Sequence, residues 1–138
     1  MKSIKFLFLL SCTSISMAVA QTNPYAEKLS AAKNGEALFG QNCQVCHNSR
    51  GKGGKAPQLV KDVWGPGGAN SDKYMYEVIT IGRPNTAMGS FKGSVSDDEI
   101  WQIISFLREE SLRVKAAETK NKYPGIDKYV LKDVYVQW

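Results

Sequence analysis

The chain has 138 residues, with 18 Lys and Arg against 13 Asp and Glu, and a formal net charge of +5. This length suits one domain with a modest hydrophobic core. The basic residues are dispersed along the chain, which argues against a nucleic-acid-binding protein. The apolar run near the amino terminus is too short to span a bilayer, so no transmembrane helix is predicted.

The first 20 residues have the layout of a secretory signal peptide. Lys2 and Lys5 precede an apolar run over residues 6–10, and Ala18-Val19-Ala20 supplies the small residues that a signal peptidase recognises. We expect cleavage after Ala20 and a periplasmic protein. An ordinary amphipathic amino terminus is one alternative, and a second is cleavage that leaves Cys12 acylated and the protein lipid-anchored.

Residues 43–57 read CQVCHNSRGKGGKAP, and without residues 1–20 the chain has only the cysteines Cys43 and Cys46 and the single histidine His47. A structural zinc site needs four ligands, and only three are present. A thioredoxin-like dithiol needs a parallel sheet, which the Gly- and Lys-rich sequence that follows does not support, and a plain disulfide leaves His47 unexplained. The pattern C-x-x-C-H is the attachment sequence of c-type haem, so we expect one covalent haem c.

The stretch SAAKNGEALFGQNCQVCH predicts a helix that leads into the attachment sequence. Gly35, Phe39 and Cys43 lie four residues apart on one stripe of this helix, with Leu38 beside them. Glycine within a helix costs about 1 kcal/mol relative to alanine. We therefore expect Gly35 to permit another element to cross closely, the alternative being a frayed helix start.

The stretch VSDDEIWQIISFLREE predicts the last strong helix. Ser96 as N-cap and Glu99 three residues later form a capping box, and Val95 and Ile100 are placed for a hydrophobic staple. The helix also has an apolar stripe, which must be buried. We expect this helix to cross the first one at Gly35. The stripe consists of Ile100, Ile103, Ile104 and Leu107, widened by Trp101 and Phe106.

A middle helix is predicted in NSDKYMYEVITIGRP, with Asn70 or Ser71 as its cap and Gly82 closing it before Pro84. Three main helices joined by Gly- and Pro-rich loops, with no convincing sheet, predict an all-α fold. A domain of this size gains core volume by wrapping around a haem.

The haem iron of an electron-transfer protein normally takes a second axial ligand. No second histidine exists, so two histidines cannot ligate the iron within a monomer. Met75 lies inside the middle helix, where core packing explains it, whereas Met88 lies in an irregular loop after Pro84. We expect Met88 to be the ligand, with Met75 and an open site as alternatives.

Pro57 and Leu59 follow the attachment sequence at a distance where the chain must turn beneath His47. A backbone carbonyl in this stretch would accept the Nδ1 hydrogen of His47 and fix the ring, as hydrogen-bond acceptors beside metal-bound histidines do. A loop proline without that role is the alternative.

The segments GEALFGQNCQVCH, GKAPQL, MGSF and SDDEIWQIISFL together resemble a class I cytochrome c of the bacterial type with one haem. The resemblance covers about residues 30–110. It implies a small cytochrome c fold, thioether bonds from Cys43 and Cys46, and axial ligation by His47 and Met88.

The same resemblance implies that Gly35 and Phe39 pack against the terminal helix near Phe106. Trp64, in DVWGPGG, either reaches a haem propionate or fills the core. The family often has proline after the axial methionine, and this chain has Gly89 there. That departure concerns the geometry of the loop rather than the identity of the ligand.

Four segments are predicted: a signal peptide at 1–20, a polar leader at 21–30, a cytochrome c domain at 31–113 and a carboxy-terminal extension at 114–138. The extension breaks at Pro124-Gly125 and then mixes apolar with charged residues. It either folds back over the surface of the domain or contacts a partner.

A filled coordination sphere leaves no place for a substrate, and an axial thioether favours Fe(II) relative to two imidazoles. We therefore expect a one-electron carrier between redox proteins rather than an enzyme. One alternative is a dedicated haem subunit or electron acceptor of a single oxidoreductase, such as a quinoprotein alcohol (methanol) dehydrogenase or a terminal oxidase. Another is a haem-based sensor with a labile sixth ligand.

Charge is unevenly distributed along the chain. Residues 50–92 hold seven basic side chains against three acidic ones, and residues 97–110 hold five acids against Arg108. Positive haem-binding loops and a negative last helix would orient the molecule toward a redox partner with an acidic docking surface. A merely solvated surface is the alternative.

Intact mass spectrometry of the protein from its native host tests the processing. We expect a chain of 118 residues (138 minus 20) starting at Gln21 and carrying one haem. A diacylated chain starting at Cys12 would instead show that the protein is lipid-anchored.

Overall fold

The computed structural model of the protein describes residues 22–61, 64–65 and 70–125. The predicted signal peptide, with Cys12 and the cleavage position, lies outside these residues. So does the extension beyond Gly125.

The architecture is all-α, as predicted. The chain forms α1 (Leu29–Asn42), α2 (Gln44–His47), a 3-10 turn at Ser49–Gly51, α3 (Asp72–Ile81) and α4 (Asp97–Lys122). In the described part of the chain, an isolated bridge between Lys92 and Val95 is the only β pairing. Within the same residues, no helix is both long and apolar enough to cross a membrane.

The crossing of α1 over α4 confirms the expectation for Gly35. A Cβ atom at Gly35 would lie 1.9 Å from the carbonyl oxygen of Gln102, so only glycine permits this approach of the two backbones. One turn later, the rings of Phe39 and Phe106 pack at a centroid distance of 5.4 Å and an angle of 50°. The helix start is therefore not frayed at Gly35, which is buried within α1.

The predicted caps of the other two long helices are present. The Ser96 hydroxyl accepts from the Glu99 amide while the Glu99 carboxylate accepts from the Ser96 amide, which completes the capping box of α4. Ser71, rather than Asn70, caps α3, and Gly82 ends that helix with φ of 82°. Its Met75 and Ile79 join the apolar stripe of α4 in one core cluster.

The predicted polar leader is part of the folded domain in its described portion. Asn23 is 7 % exposed, and its side chain donates to the carbonyl of Trp101 and the hydroxyl of Ser105. The Tyr25 hydroxyl donates to Asp98 at 2.6 Å. Because these polar groups are hydrogen-bonded to α4, the polar composition of the predicted leader does not make it a segment separate from the folded domain.

The predicted boundary between residues 113 and 114 falls inside α4, which continues to Lys122. The residues beyond 113 include Ala, Glu and Lys, which favour helix. The helix ends just before Pro124-Gly125, where the sequence predicts a break.

Replacing Gly35 with alanine tests the close crossing. The added methyl group has no room against the Gln102 carbonyl, so we expect the free energy of unfolding to fall by about 1–3 kcal/mol. Gly40→Ala is the matched control, because a Cβ there meets its nearest atom only at 3.9 Å. That control should be neutral or raise stability by up to about 1 kcal/mol. Equal melting temperatures for the two variants would contradict the crossing.

Candidate haem-binding site

The attachment sequence forms a short helix at a bend in the chain. Cys43, with φ of −120°, separates α1 from α2, so the predicted helix is interrupted there. The amides of Cys46 and His47 both donate to the Cys43 carbonyl, at 3.2 and 3.0 Å. One turn of helix therefore carries both cysteines and the histidine.

No disulfide joins the two cysteines, and Cys43 is half-buried whereas Cys46 is exposed. Burial raises the pKa of the Cys43 thiol to about 11, and the neighbouring Cys46 contributes to this rise. A redox dithiol needs a thiol with a lowered pKa, which forms the thiolate at neutral pH. The burial of Cys43 therefore works against a thioredoxin-like role for this thiol.

The His47 ring is buried and held in one orientation. Its Nδ1 atom lies 2.9 Å from the carbonyl oxygen of Pro57. A carbonyl only accepts, so Nδ1 carries the hydrogen, and in the neutral ring Nε2 then has the lone pair that can bind a metal. This is the hydrogen bond that the Pro57 stretch leads us to expect.

Backbone hydrogen bonds close the loop that supplies this carbonyl. The amide of Gly53 donates to the His47 carbonyl at 2.9 Å, and the amide of Leu59 donates to the Gly51 carbonyl at 2.8 Å. Leu59 is half-buried and packs against the core cluster. The loop thus returns onto α2 and places the Pro57 carbonyl beneath His47.

Met88 lies in a second closed loop, which follows α3. The Arg83 amide donates to the Met88 carbonyl at 2.9 Å, and the Met88 amide donates to the Thr86 hydroxyl at 3.1 Å. A Cβ atom at Gly82 would lie 2.7 Å from the Met88 carbonyl, so this glycine makes room for the loop as well as ending the helix. Met88 is half-buried, whereas Met75 is completely buried in the core.

Trp64 is half-buried and packs against the core cluster. Arg83, which the sequence pattern does not single out, donates from Nη2 to the Trp64 carbonyl at 3.2 Å and to the Tyr74 hydroxyl at 3.3 Å. It links the Trp64 segment to the loop of Met88. The role of Trp64 towards a haem propionate stays a prediction.

The donor set fits a covalent haem better than a metal ion alone. Across the described residues, no group of three or more His, Cys, Asp or Glu side chains could hold a metal ion. Two free thiols one turn apart, followed by an imidazole whose Nδ1 is engaged, are the groups that a c-type haem requires.

Comparison with known proteins agrees with this chemistry. Residues 30–107 match the family model described as cytochrome c oxidase, cbb3-type, subunit III. The chain belongs to this cytochrome c family. It is a mono-haem c-type cytochrome of class I, and its cofactor is covalently bound haem c.

Two solved cytochromes share the fold. Cytochrome cL of Methylophaga aminisulfidivorans is 31 % identical with a TM-score of 0.59, and the match covers 64 % of this chain and 60 % of that one. Cytochrome cL of Hyphomicrobium denitrificans is 28 % identical with a TM-score of 0.57, over 62 % of this chain and 50 % of that one. The cytochrome therefore spans less than two thirds of either relative.

A curated relative has a different name. The dihydro-heme d1 dehydrogenase of Pseudomonas aeruginosa is 36 % identical over 76 residues, which are 53 % of this cytochrome and 14 % of that protein. The similarity is thus confined to a small part of the dehydrogenase.

A charged cluster that the sequence pattern does not reveal joins the haem-binding loop to α4. Arg50, three residues after His47, donates to Glu110 at 2.6 Å and also pairs with Glu36. Arg113 donates to Glu110 from Nε at 2.7 Å. The Glu110 side chain is completely buried, although burial of a carboxylate is rare without such partners.

This cluster corrects part of the charge interpretation. The count over residues 97–110 includes Glu110 as a surface acid, but its carboxylate is buried and paired. Arg50 is likewise engaged rather than free on the surface. The remaining contrast lies between exposed lysines of the loops and exposed acids of α4 within residues 97–110. The lysines are Lys52, Lys55, Lys61 and Lys92, and the acids are Asp97, Asp98 and Glu109.

The Glu110 cluster makes stability depend on acid pH. Burial by itself would raise the pKa of Glu110, but hydrogen bonds from Arg113 and Arg50 outweigh it and lower the pKa from 4.5 to about 2. A lowered pKa stabilises the fold above the unfolded value of 4.5, and this contribution is lost as the pH falls towards 2. It amounts to about 3 kcal/mol.

Denaturant unfolding between pH 5 and about 2 measures this loss. The slope of the unfolding free energy against pH should be shallower in Glu110→Gln than in the wild type. Glu109→Gln, which removes an exposed carboxylate next in sequence, should keep the wild-type slope. Identical slopes for all three proteins would contradict the assignment.

Proposed function

We propose that this cytochrome is an exported one-electron carrier whose haem is held by thioether bonds from Cys43 and Cys46, with His47 and Met88 as the axial ligands. The bound haem supplies reversible exchange of one electron. The chain attaches the haem, orients its ligands and limits access to the iron. The signal-peptide layout of residues 1–20 supports transport to the periplasm.

The observation that carries the proposal is the hydrogen bond between His47 Nδ1 and the Pro57 carbonyl. It leaves Nε2 as the only ring atom able to bind a metal, next to the two thiols. Because the imidazole is already held in the orientation needed to bind iron, fewer atoms have to move when the iron gains or loses an electron.

Met88 is preferred over Met75 because of their surroundings. The side chain of Met75 has no exposed surface and is part of the core cluster around α4. Met88 is half-buried, and its backbone carbonyl and amide are both hydrogen-bonded within the loop, to the Arg83 amide and the Thr86 hydroxyl. Such a loop offers a thioether at a defined position without any rearrangement of the core.

A second candidate function is that of a dedicated haem subunit or electron acceptor of one oxidoreductase, such as a quinoprotein alcohol (methanol) dehydrogenase or a terminal oxidase. The family description, which names an oxidase subunit, and a relative that is named a dehydrogenase both favour it. A dedicated subunit co-purifies with one enzyme, which reduces it if the enzyme is a dehydrogenase and oxidises it if the enzyme is an oxidase. A carrier instead exchanges electrons with several partners.

The exposed lysines near the attachment sequence support an acidic docking surface on the partner. Lys52 and Lys55 lie in the loop that supplies the Pro57 carbonyl, and both are exposed. Such charges raise the association rate more than the final affinity. Nucleic acid is not proposed as a partner, because the basic residues are dispersed.

Substitution of the two methionines tests the ligation. In the oxidised protein, Met88→Ala should abolish the methionine-to-iron absorption band. Met75→Leu, which keeps the volume of a core side chain, should retain it with a loss of less than about 1.5 kcal/mol in stability. Loss of the band in the Met75 variant and its survival in the Met88 variant would overturn the assignment.

A further inference from the structure

The buried carboxylate of Glu110 connects α4 to the loop that orients His47. Its side chain has no exposed surface, yet it accepts hydrogen bonds from Arg50 and Arg113. Removal of a carboxylate from water costs several kcal/mol unless charged partners compensate it. An exposed ion pair between α1 and α4 would join the helices at a lower desolvation cost. The buried location of the Glu110 carboxylate therefore needs a further reason.

Arg50 is also held in an unusual backbone conformation. Its φ of 55° lies in the left-handed region, and Gly51 follows with φ of 71°. A non-glycine residue in this region costs about 1 kcal/mol or more. The guanidinium pairs with Glu110 and Glu36 and lies 5.4 Å from the ring centroid of Phe106, and these contacts offset that cost.

These two left-handed residues begin the return of the loop to His47. Gly51 accepts from the Leu59 amide at 2.8 Å, and a Cβ atom on Gly51 would lie 3.2 Å from the Leu107 side chain. The loop is therefore pressed against α4 at Gly51 and tied to it through Arg50. Pro57, two residues before Leu59, holds the imidazole.

We propose that Glu110 is a positioning residue for His47, acting through Arg50: it anchors the loop whose Pro57 carbonyl fixes the imidazole. This inference rests on the proposed ligation by His47. In the haem-loaded protein, loss of the Glu110 charge would leave Arg50 and Arg113 less compensated. It would therefore disfavour the oxidised iron, which carries one more positive charge than the reduced iron.

Amide hydrogen exchange of the haem-loaded protein tests the anchoring directly. In Glu110→Gln, we expect the amides of Gly53 and Leu59 to exchange at least about tenfold faster, because the loop opens more often. The Gly82 amide, which is bonded to the Val78 carbonyl at the end of α3, should change much less. Glu109→Gln is the control for loss of one carboxylate from α4.

Redox equilibration with a dye of known potential provides the second measurement. Glu110→Gln should shift the equilibrium towards the reduced protein by a factor of about three to ten. Glu109→Gln, which removes an exposed and screened carboxylate, should shift it less than about twofold.

Arg50→Lys keeps the charge but loses the planar group that spans two carboxylates. It should speed exchange in the loop with little effect on the equilibrium.

The outcomes distinguish anchoring from a general loss of stability. Faster exchange at Gly53 and Leu59 with Gly82 unchanged supports the proposal. An equal increase at all three amides, or none at any, overturns it, as does a redox equilibrium in Glu110→Gln equal to that of Glu109→Gln. If Glu110→Gln does not retain haem, the same comparison of amide exchange at Gly53 and Leu59 with that at Gly82 is made in Arg50→Lys, and it tests the proposal in the same way. Failure of the His47 and Met88 ligation would appear separately, in the spectrum of the unmodified protein.

Discussion

The close crossing of α1 over α4 at Gly35 is the contact on which the rest of the structure depends. It allows Phe39 to pack on Phe106, and this pair fixes the end of α1, where Cys43 begins the attachment sequence. The same crossing brings Glu36 of α1 and Glu110 of α4 to the two terminal nitrogens of the Arg50 guanidinium group. The position of the haem attachment sequence thus follows from backbone contact between two helices that lie far apart in sequence.

The elements with strong local signals could be predicted from the sequence. The capping box at Ser96 and the spacing of Gly35 and Phe39 each depend on residues within one or two turns of helix, and both are present. The hydrogen bond between His47 and the Pro57 carbonyl could also be predicted, because a metal-bound histidine needs such an acceptor nearby.

What could not be predicted involves partners distant in sequence. Asn23 pairs with Ser105, 82 residues away, and Arg50 pairs with Glu110, 60 residues away. Neither pair has a local pattern, so Asn23 looks like part of a free leader and Glu110 like a surface acid. A left-handed Arg50 likewise has no sequence signal, since glycine is the residue that usually marks this conformation.

His47 lies on a short helix and is bonded to a closed loop, and Met88 lies on a second closed loop. In the proposed ligation, these two elements would supply the two axial donors to the haem iron. Carbon monoxide binding to the reduced protein at neutral pH tests the central claim, that both axial positions are filled, most directly. A carrier with His47 and Met88 bound should show no change in its spectrum under carbon monoxide, whereas rapid, stoichiometric binding would contradict a filled site and favour a sensor or a catalytic haem.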